Sequence, residues 1–301
     1  MTVYYRARAP LRIGIAGGGT DVDPYASQKG GCVLNTTINK YAYCTITPRN
    51  DNLMIVHSSY YGMYEAPLDG GPLKLDGNMD LIKAVTNHFE VKDGFDIVIE
   101  SDAPAGSGLG GSSTMIVAMI SAVANWRGNK MYPDEVAKLA YRLERVDIGL
   151  KGGKQDQYAA AYGGFNLMDF DSKGVRVQKV DIDDDVANEL QYRSLLCYTG
   201  TSRESADIIG SQIASFNRGE NEKALDESKR LAKDIGKALM DGDIEKAGIL
   251  LHESWEYKKQ FSEKISNKTI NNLYDIAIKH GAIGGKVSGA GGGGFMYYIC
   301  E

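Results

Sequence analysis

Through the first hundred positions apolar residues alternate with polar ones or come in short bursts, and further along they recur at helical spacing. Residues 2–16 predict one or two strands, residues 32–48 and 53–57 an antiparallel β-region rich in threonine, tyrosine and isoleucine, and Phe95, Ile97 and Ile99 a strand with one buried face. Leu81, Ile82, Val85 and Phe89 mark a helix to pack on that sheet. Met115, Ile116, Val117, Met119 and Ile120 begin a buried helix, and Val136, Leu139, Ala140 and Leu143 line another that starts at Pro133 and carries Glu144 near its end. An alanine-rich helix stops at Gly163-Gly164, ahead of strands at 165–170 and 175–180, and the domain boundary is expected here, dividing 1–165 from 166–301. Beyond it come a strand at 192–198, three or four amphipathic helices to about His280, broken at Gly219, Gly242 and near Asn267, and strands at 284–288 and 294–299. The pattern is α+β, without internal repeats.

Three glycine-rich turns interrupt it, at 16–21, 104–114 and 288–294. The second joins a strand directly to an apolar helix. Its glycines let the backbone take positive φ and approach a ligand, and the free N–H groups of the helix start, with the positive end of the dipole, suit a polyphosphate. Ser112, Ser113 and Thr114 add hydroxyls for phosphate oxygens or a metal held by them. A Walker A loop is excluded, because no lysine lies in the turn. The spacing of Gly106, Gly108 and Gly111 satisfies the dinucleotide pattern, but that fingerprint needs a second strand ending in an acidic residue, and residues 133–146 read as a helix instead.

Composition changes this picture little. The chain has 301 residues, 43% hydrophobic and 24% charged, and a net charge of -5 with no basic run, which argues against nucleic acid and leaves anions to local cations and backbone amides. Cys32, Cys44, Cys197 and Cys300 show neither zinc spacing nor a disulfide framework, so a reducing compartment is expected. The N-terminus lacks an apolar signal region and no run of 18 apolar residues exists, which points to a cytoplasmic protein.

Phosphoryl transfer needs a cradle, a metal held by a hydroxyl and a carboxylate, a group to take the acceptor's proton, and cations on the developing charge. Asp156, in Gly-Gly-Lys-Gln-Asp-Gln, is the candidate base; the alternative is an aspartate that only serves the helix dipole. Glu144 is a candidate to hold Mg²⁺ with Ser112, or a solvated helix carboxylate. Arg12 and Asp21 flank the first turn, one to face phosphate or the base and the other a substrate hydroxyl, or else they form a surface ion pair. Lys229-Arg230 and Lys258-Lys259 read as solvated helix faces, Trp126 and Trp255 as core, and the four scattered histidines have no metal-ligand spacing.

Three motifs stand in order along nearly the whole chain, at 9–21, 104–114 and 286–294, and together they resemble the GHMP kinases. The resemblance implies an N-terminal domain like the second domain of ribosomal protein S5, a ferredoxin-like C-terminal domain, and an active site between them. It sets Pro104, Gly106, Ser107, Gly108, Leu109, Gly110, Gly111, Ser112, Ser113 and Thr114 around ATP, puts Mg²⁺ on Ser112 and Glu144, and makes Asp156 the base with Arg12 beside it. Gly18, Gly19, Thr20 and Asp21 of the first motif and Gly289, Gly291 and Gly292 of the third fall to the substrate. The Gly-Gly-Gly-Thr-Asp turn and the Gln-Asp-Gln-Tyr-Ala-Ala segment look most like the members that phosphorylate C1 of D-glycero-D-manno-heptose 7-phosphate, giving a 1,7-bisphosphate for nucleotide-activated heptose and bacterial surface polysaccharide. A fucose- or galactose-type sugar-1-kinase is the near alternative, and a non-catalytic nucleotide-binding homologue the distant one. Lys154 and Arg203 are the candidate cations for the substrate's own phosphate. Expected partners are ATP and a small sugar phosphate, with a homodimer allowed for and no nucleic acid or membrane. Relatives usually continue past the strand that ends here at Glu301, which leaves room for a truncated C-terminal domain.

Overall fold

Two long strands, β1 (Tyr5–Ala16) and β2 (Gly31–Pro48), pair antiparallel and form the spine of the larger sheet. The computed structural model describes residues 3–201 and 205–301. β2 is long enough to serve two sets of partners. Its second half pairs with β5 (Phe95–Ser101), from Ala42 opposite Ser101 to Pro48 opposite Phe95, and its first half with β6 (Phe165–Asp171), from Gly31 opposite Phe170 to Thr36 opposite Phe165. With β3 (Leu53–Ser58), β4 (Gly62–Pro67) and β7 (Gly174–Lys179) the order is β4-β3-β5-β2-β6-β7, with β1 lying on β2. β6 and β7 thus follow the expected boundary in sequence and still belong to this sheet. A smaller antiparallel sheet has β10 (Phe295–Cys300) between β8 (Ser194–Tyr198) and β9 (Ala282–Val287).

The register of β1 against β2 shifts between Pro10 and Arg12. Proline donates no ladder hydrogen bond, and a bulge re-aims the side chain that follows it. Arg12 is that side chain.

Helices α1 (Tyr25–Lys29), α2 (Asp80–His88), α3 (Gly111–Trp126), α4 (Pro133–Tyr141) and α5 (Gln155–Tyr162) belong to the first half. α6 (Asp184–Tyr192), α7 (Ser205–Asn217), α8 (Glu222–Met240), α9 (Ile244–Lys259) and α10 (Lys268–Lys279) follow. α6 has no counterpart among the sequence expectations; its signal is Asp183, whose side chain caps Asp185 N.

One core lies between the sheet and the first helices, with Ile46, Val56 and Ile97 against Val85, Ile116 and Ile120. A second joins Leu11, Ile13 and Leu34 of the spine to Ile235, Leu251 and Ile299, so the two halves share apolar packing rather than meeting at a polar seam. Trp255 is fully buried in a third core beneath the small sheet, and Trp126 packs edge-on against Phe95. All four cysteines are free thiols, and among the described residues no helix is long and apolar enough to cross a membrane.

Candidate active site

β5 delivers the chain through the second glycine turn to the start of α3. Gly106, Gly108 and Gly110 all take positive φ, and Gly110 occupies the helix N-cap in the left-handed region. Glycine is also required here for close approach: a Cβ on Gly108 would run into the carbonyl oxygen of Ser288, and one on Gly294 into that of Ser107. The third turn therefore grips the second, with Phe295 N donating to Ser107 O at 2.9 Å and Ser288 Oγ to Gly108 O at 3.0 Å. From the other side Arg12 N donates to Leu109 O at 3.1 Å.

Asp156 sits in the first turn of α5 and accepts from Arg12 Nε at 2.8 Å and Nη2 at 2.7 Å, while Arg12 Nη1 donates to Gly108 O. A Cβ placed on Gly110 would lie 3.4 Å from both Arg12 Cγ and Asp156 Cγ, so the pair borders the helix start. Arg12 is buried and pairs with Asp156, which removes the alternative of a surface ion pair with Asp21. Asp21 is buried as well, accepting from Gly19 N at 3.0 Å, Gln155 N at 3.1 Å and Gln155 Nε2 at 3.3 Å, with the Cα of Gly153 pressed against its carboxylate.

Glu144 is not a solvated carboxylate. The helix from Pro133 widens into a π-helical segment, Arg142–Asp147, a deviation that re-aims side chains and recurs at functional sites. Glu144 is 0% exposed and accepts from Ser112 Oγ at 2.7 Å, Ser113 Oγ at 2.7 Å and Gln157 Nε2 at 2.6 Å.

Residues 79–164 match the GHMP kinases N terminal domain and residues 222–301 the GHMP kinases C terminal domain. The chain is a GHMP kinase. Over 98% of its length it is 40% identical to the D-glycero-alpha-D-manno-heptose 7-phosphate kinase of Campylobacter jejuni, covering 89% of that protein. A D-glycero-D-manno-heptose 1-phosphate kinase structure from Bacteroides thetaiotaomicron aligns with a TM-score of 0.81 at 37% identity, covering 99% of this chain and 89% of the other. A galactokinase of Mycobacterium tuberculosis is 28% identical over 98% of this chain and 88% of its own. The kinase is thus a phosphotransferase with an alcohol acceptor, a sugar kinase with ATP as co-substrate.

The remaining expected residues of the kinase divide by where their side chains are spent. Thr20 Oγ1 donates to Gly17 O and Cys32 O and accepts from Cys32 N, so it braces the first turn from behind. Thr114 Oγ1 donates back to Gly110 O, and Leu109 is buried in the second core. Pro104 O accepts from Ser107 N, closing the start of the loop. Gly289 lies against Gly108, whereas Gly291 and Gly292 lie against Ile265, on the far side of the third turn. Lys154 is ion-paired with Asp23 at 3.3 Å and stacked on Tyr141. Arg203 lies outside the described residues.

The structure adds residues that the sequence did not single out. Gln155 and Gln157 flank Asp156 and hold Asp21 and Glu144 respectively. Arg145 donates to Ser113 Oγ at 3.2 Å. The expectation of a solvated face at Lys258-Lys259 fails at Lys258, which is 2% exposed and donates to Gly18 O at 2.8 Å; Lys286, 1% exposed, donates to Gly14 O at 3.0 Å. Burial pushes Lys258 down to about 8, with Asp21 opposing and Arg12 adding to the effect. Lys286 is pushed well below its ordinary range by burial and by the neighbouring cations Lys258 and Arg12. No pattern in α9 distinguishes Lys258 from Lys259; only the helix's last turn, passing behind the first glycine turn, does so.

Proposed function

We propose that this kinase transfers the γ-phosphoryl group of ATP to the C1 hydroxyl of D-glycero-D-manno-heptose 7-phosphate, forming the 1,7-bisphosphate for nucleotide-activated heptose synthesis in the cytoplasm. The observation that carries the reading is the Arg12–Asp156 pair set against Gly110 at the head of the cradle. An acceptor hydroxyl beside Asp156 would lie next to a phosphate bound at the start of α3, and Asp156 would orient it and take its proton as the new bond forms. Arg12 would hold that carboxylate in place and lend positive charge to the transferring group. The heptose acceptor is supported by the relative from Campylobacter jejuni, which is named for the 7-phosphate.

The cradle, residues 104–114, would bind the phosphates through its backbone amides. A hydroxyl and a carboxylate at a helix N-terminus are the hard oxygen donors that Mg²⁺ uses, and Ser112 and Glu144 stand together there, so these two residues would hold it. Bound there, Mg²⁺ would neutralise charge on the β- and γ-phosphates. Asp21 and the backbone of the first turn would receive the sugar hydroxyls. The acceptor's own phosphate remains assigned to Lys154 and Arg203, and a homodimer and a boundary between catalytic halves belong to the same reading.

Phosphorus NMR after incubation with MgATP and D-glycero-D-manno-heptose 7-phosphate tests it, with the unphosphorylated heptose, mannose, fucose and galactose alongside. A new anomeric phosphate signal only with the 7-phosphate is expected. A signal with a free sugar instead keeps the sugar kinase and overturns the acceptor.

A further inference from the structure

Three carbonyl groups of the first motif are held from the second half of the chain. Gly14 O accepts from Lys286, Gly18 O from Lys258, and Gly19 O from Gln212 Nε2 at 2.8 Å. Gln212 shows that a neutral amide is sufficient to tie this turn down. An ammonium in the same role is costly, because a buried charge loses its hydration, and an apolar or neutral side chain of similar size often gives equal or better stability. The charge on Lys258 therefore asks for a reason beyond clamping.

Its surroundings supply one. Lys258 is packed under the ring of Phe261, 5.2 Å from the centroid, and among the described residues the charged groups that face it are Asp21 and Arg12 from the first motif and Lys286 from β9. Among the described residues Asp21 accepts from neutral donors, Gly19 N and the backbone and side chain of Gln155. Among the described residues no hydrogen bond or ion pair joins Lys258 to this carboxylate, so the counter-charge acts on Asp21 through space.

We propose that Lys258 is a positioning residue for the sugar: its cation fixes the carbonyl of Gly18 and balances the buried carboxylate of Asp21, so that the first turn meets the acceptor in one arrangement. The inference rests on the reading of the first turn as the acceptor side. Protonated Lys258 is then required for acceptor use, and raising the pH through about 8 removes it.

The experiment compares the full-length wild type with Lys258→Arg, Lys258→Gln and Lys258→Met, with circular dichroism to check folding. Kinetic constants for MgATP and for D-glycero-D-manno-heptose 7-phosphate are measured from about pH 6 to pH 10. In Lys258→Gln and Lys258→Met the KM for the sugar is expected to rise by about ten-fold or more, with the KM for ATP within about two-fold. Lys258→Arg should restore most acceptor use, and the fall of wild-type kcat/KM above about pH 8 should vanish in the neutral variants and move upwards in the arginine variant. Equal changes in both KM values, or an alkaline limb unchanged in all variants, would overturn the proposal. If only a free sugar is a substrate, the heptose phosphate reading fails and Lys258 is judged by the same criteria on that sugar. If Lys258→Met fails to fold, the arginine and glutamine pair decides alone.

Discussion

Arg12 ties its own motif to the cradle and to α5: its backbone bonds the cradle at Leu109, one guanidinium nitrogen reaches Gly108 O, and the others hold Asp156. An arginine can do this because its guanidinium donors diverge within a rigid plane. For Asp156 the expected result of substitution by asparagine is a loss of turnover of about 10²–10⁴-fold, with the KM for ATP little changed, read by steady-state kinetics. Turnover close to wild type would remove Asp156 from the chemistry. Arg12 and Asp156 are candidates from sequence because each stands in or beside a glycine-rich segment, whereas Glu144, near the end of an ordinary amphipathic helix, is a candidate chiefly through the family resemblance. Lys258 and Gln157 are not. A lysine pair near a helix end and a glutamine in a helix's first turn are commonplace, and their burial depends on elements far away in the chain.

At the scale of elements, most of the pattern survives folding because amphipathic periodicity reports which face is buried, as in α8 and α10. What the pattern misses is local irregularity. The π-helical segment is invisible to a 3.6-residue period, yet it places Glu144 under Ser112 and Ser113. The shift in β1 after Pro10 is equally silent, and it precedes Arg12. The short α6 leaves little trace in the pattern because its apolar positions are few. Gly108 tests how far the cradle depends on backbone approach: its φ is +78° and a Cβ there would collide with Ser288 O. Gly108→Ala is expected to weaken ATP binding by about ten-fold or more in calorimetry, since both the left-handed conformation and the grip of the third turn are lost. Unchanged affinity would show that the loop binds without that grip.

Across the whole molecule, an acidic chain of net charge -5 gathers Arg12, Lys258 and Lys286 in a buried cluster, with Asp21 and Asp156 as the carboxylates beside them among the described residues. This concentration of cations has a signature in stability. Below about pH 8 Lys258 is protonated both folded and unfolded, and its burial penalty is present in full. Between about 8 and the ordinary lysine value of 10.5 the unfolded chain binds a proton that the folded chain does not, so this residue's contribution makes the fold more stable as pH rises through that window. Thermal unfolding of wild type and Lys258→Met across that range should therefore differ in slope, the wild type gaining relative to the variant. Parallel curves would mean that Lys258 titrates alike in both states.

The second glycine turn is held between Arg12, which precedes it in the chain, and Phe295 of β10, which follows it only after α3 to α10 and donates to Ser107. During synthesis the loop emerges long before its last partner. A ribosome-bound chain stopped ahead of Phe295 would carry every residue of the cradle and still lack its finished shape. The grip of β10 on the cradle can form only once the chain has been made as far as Phe295.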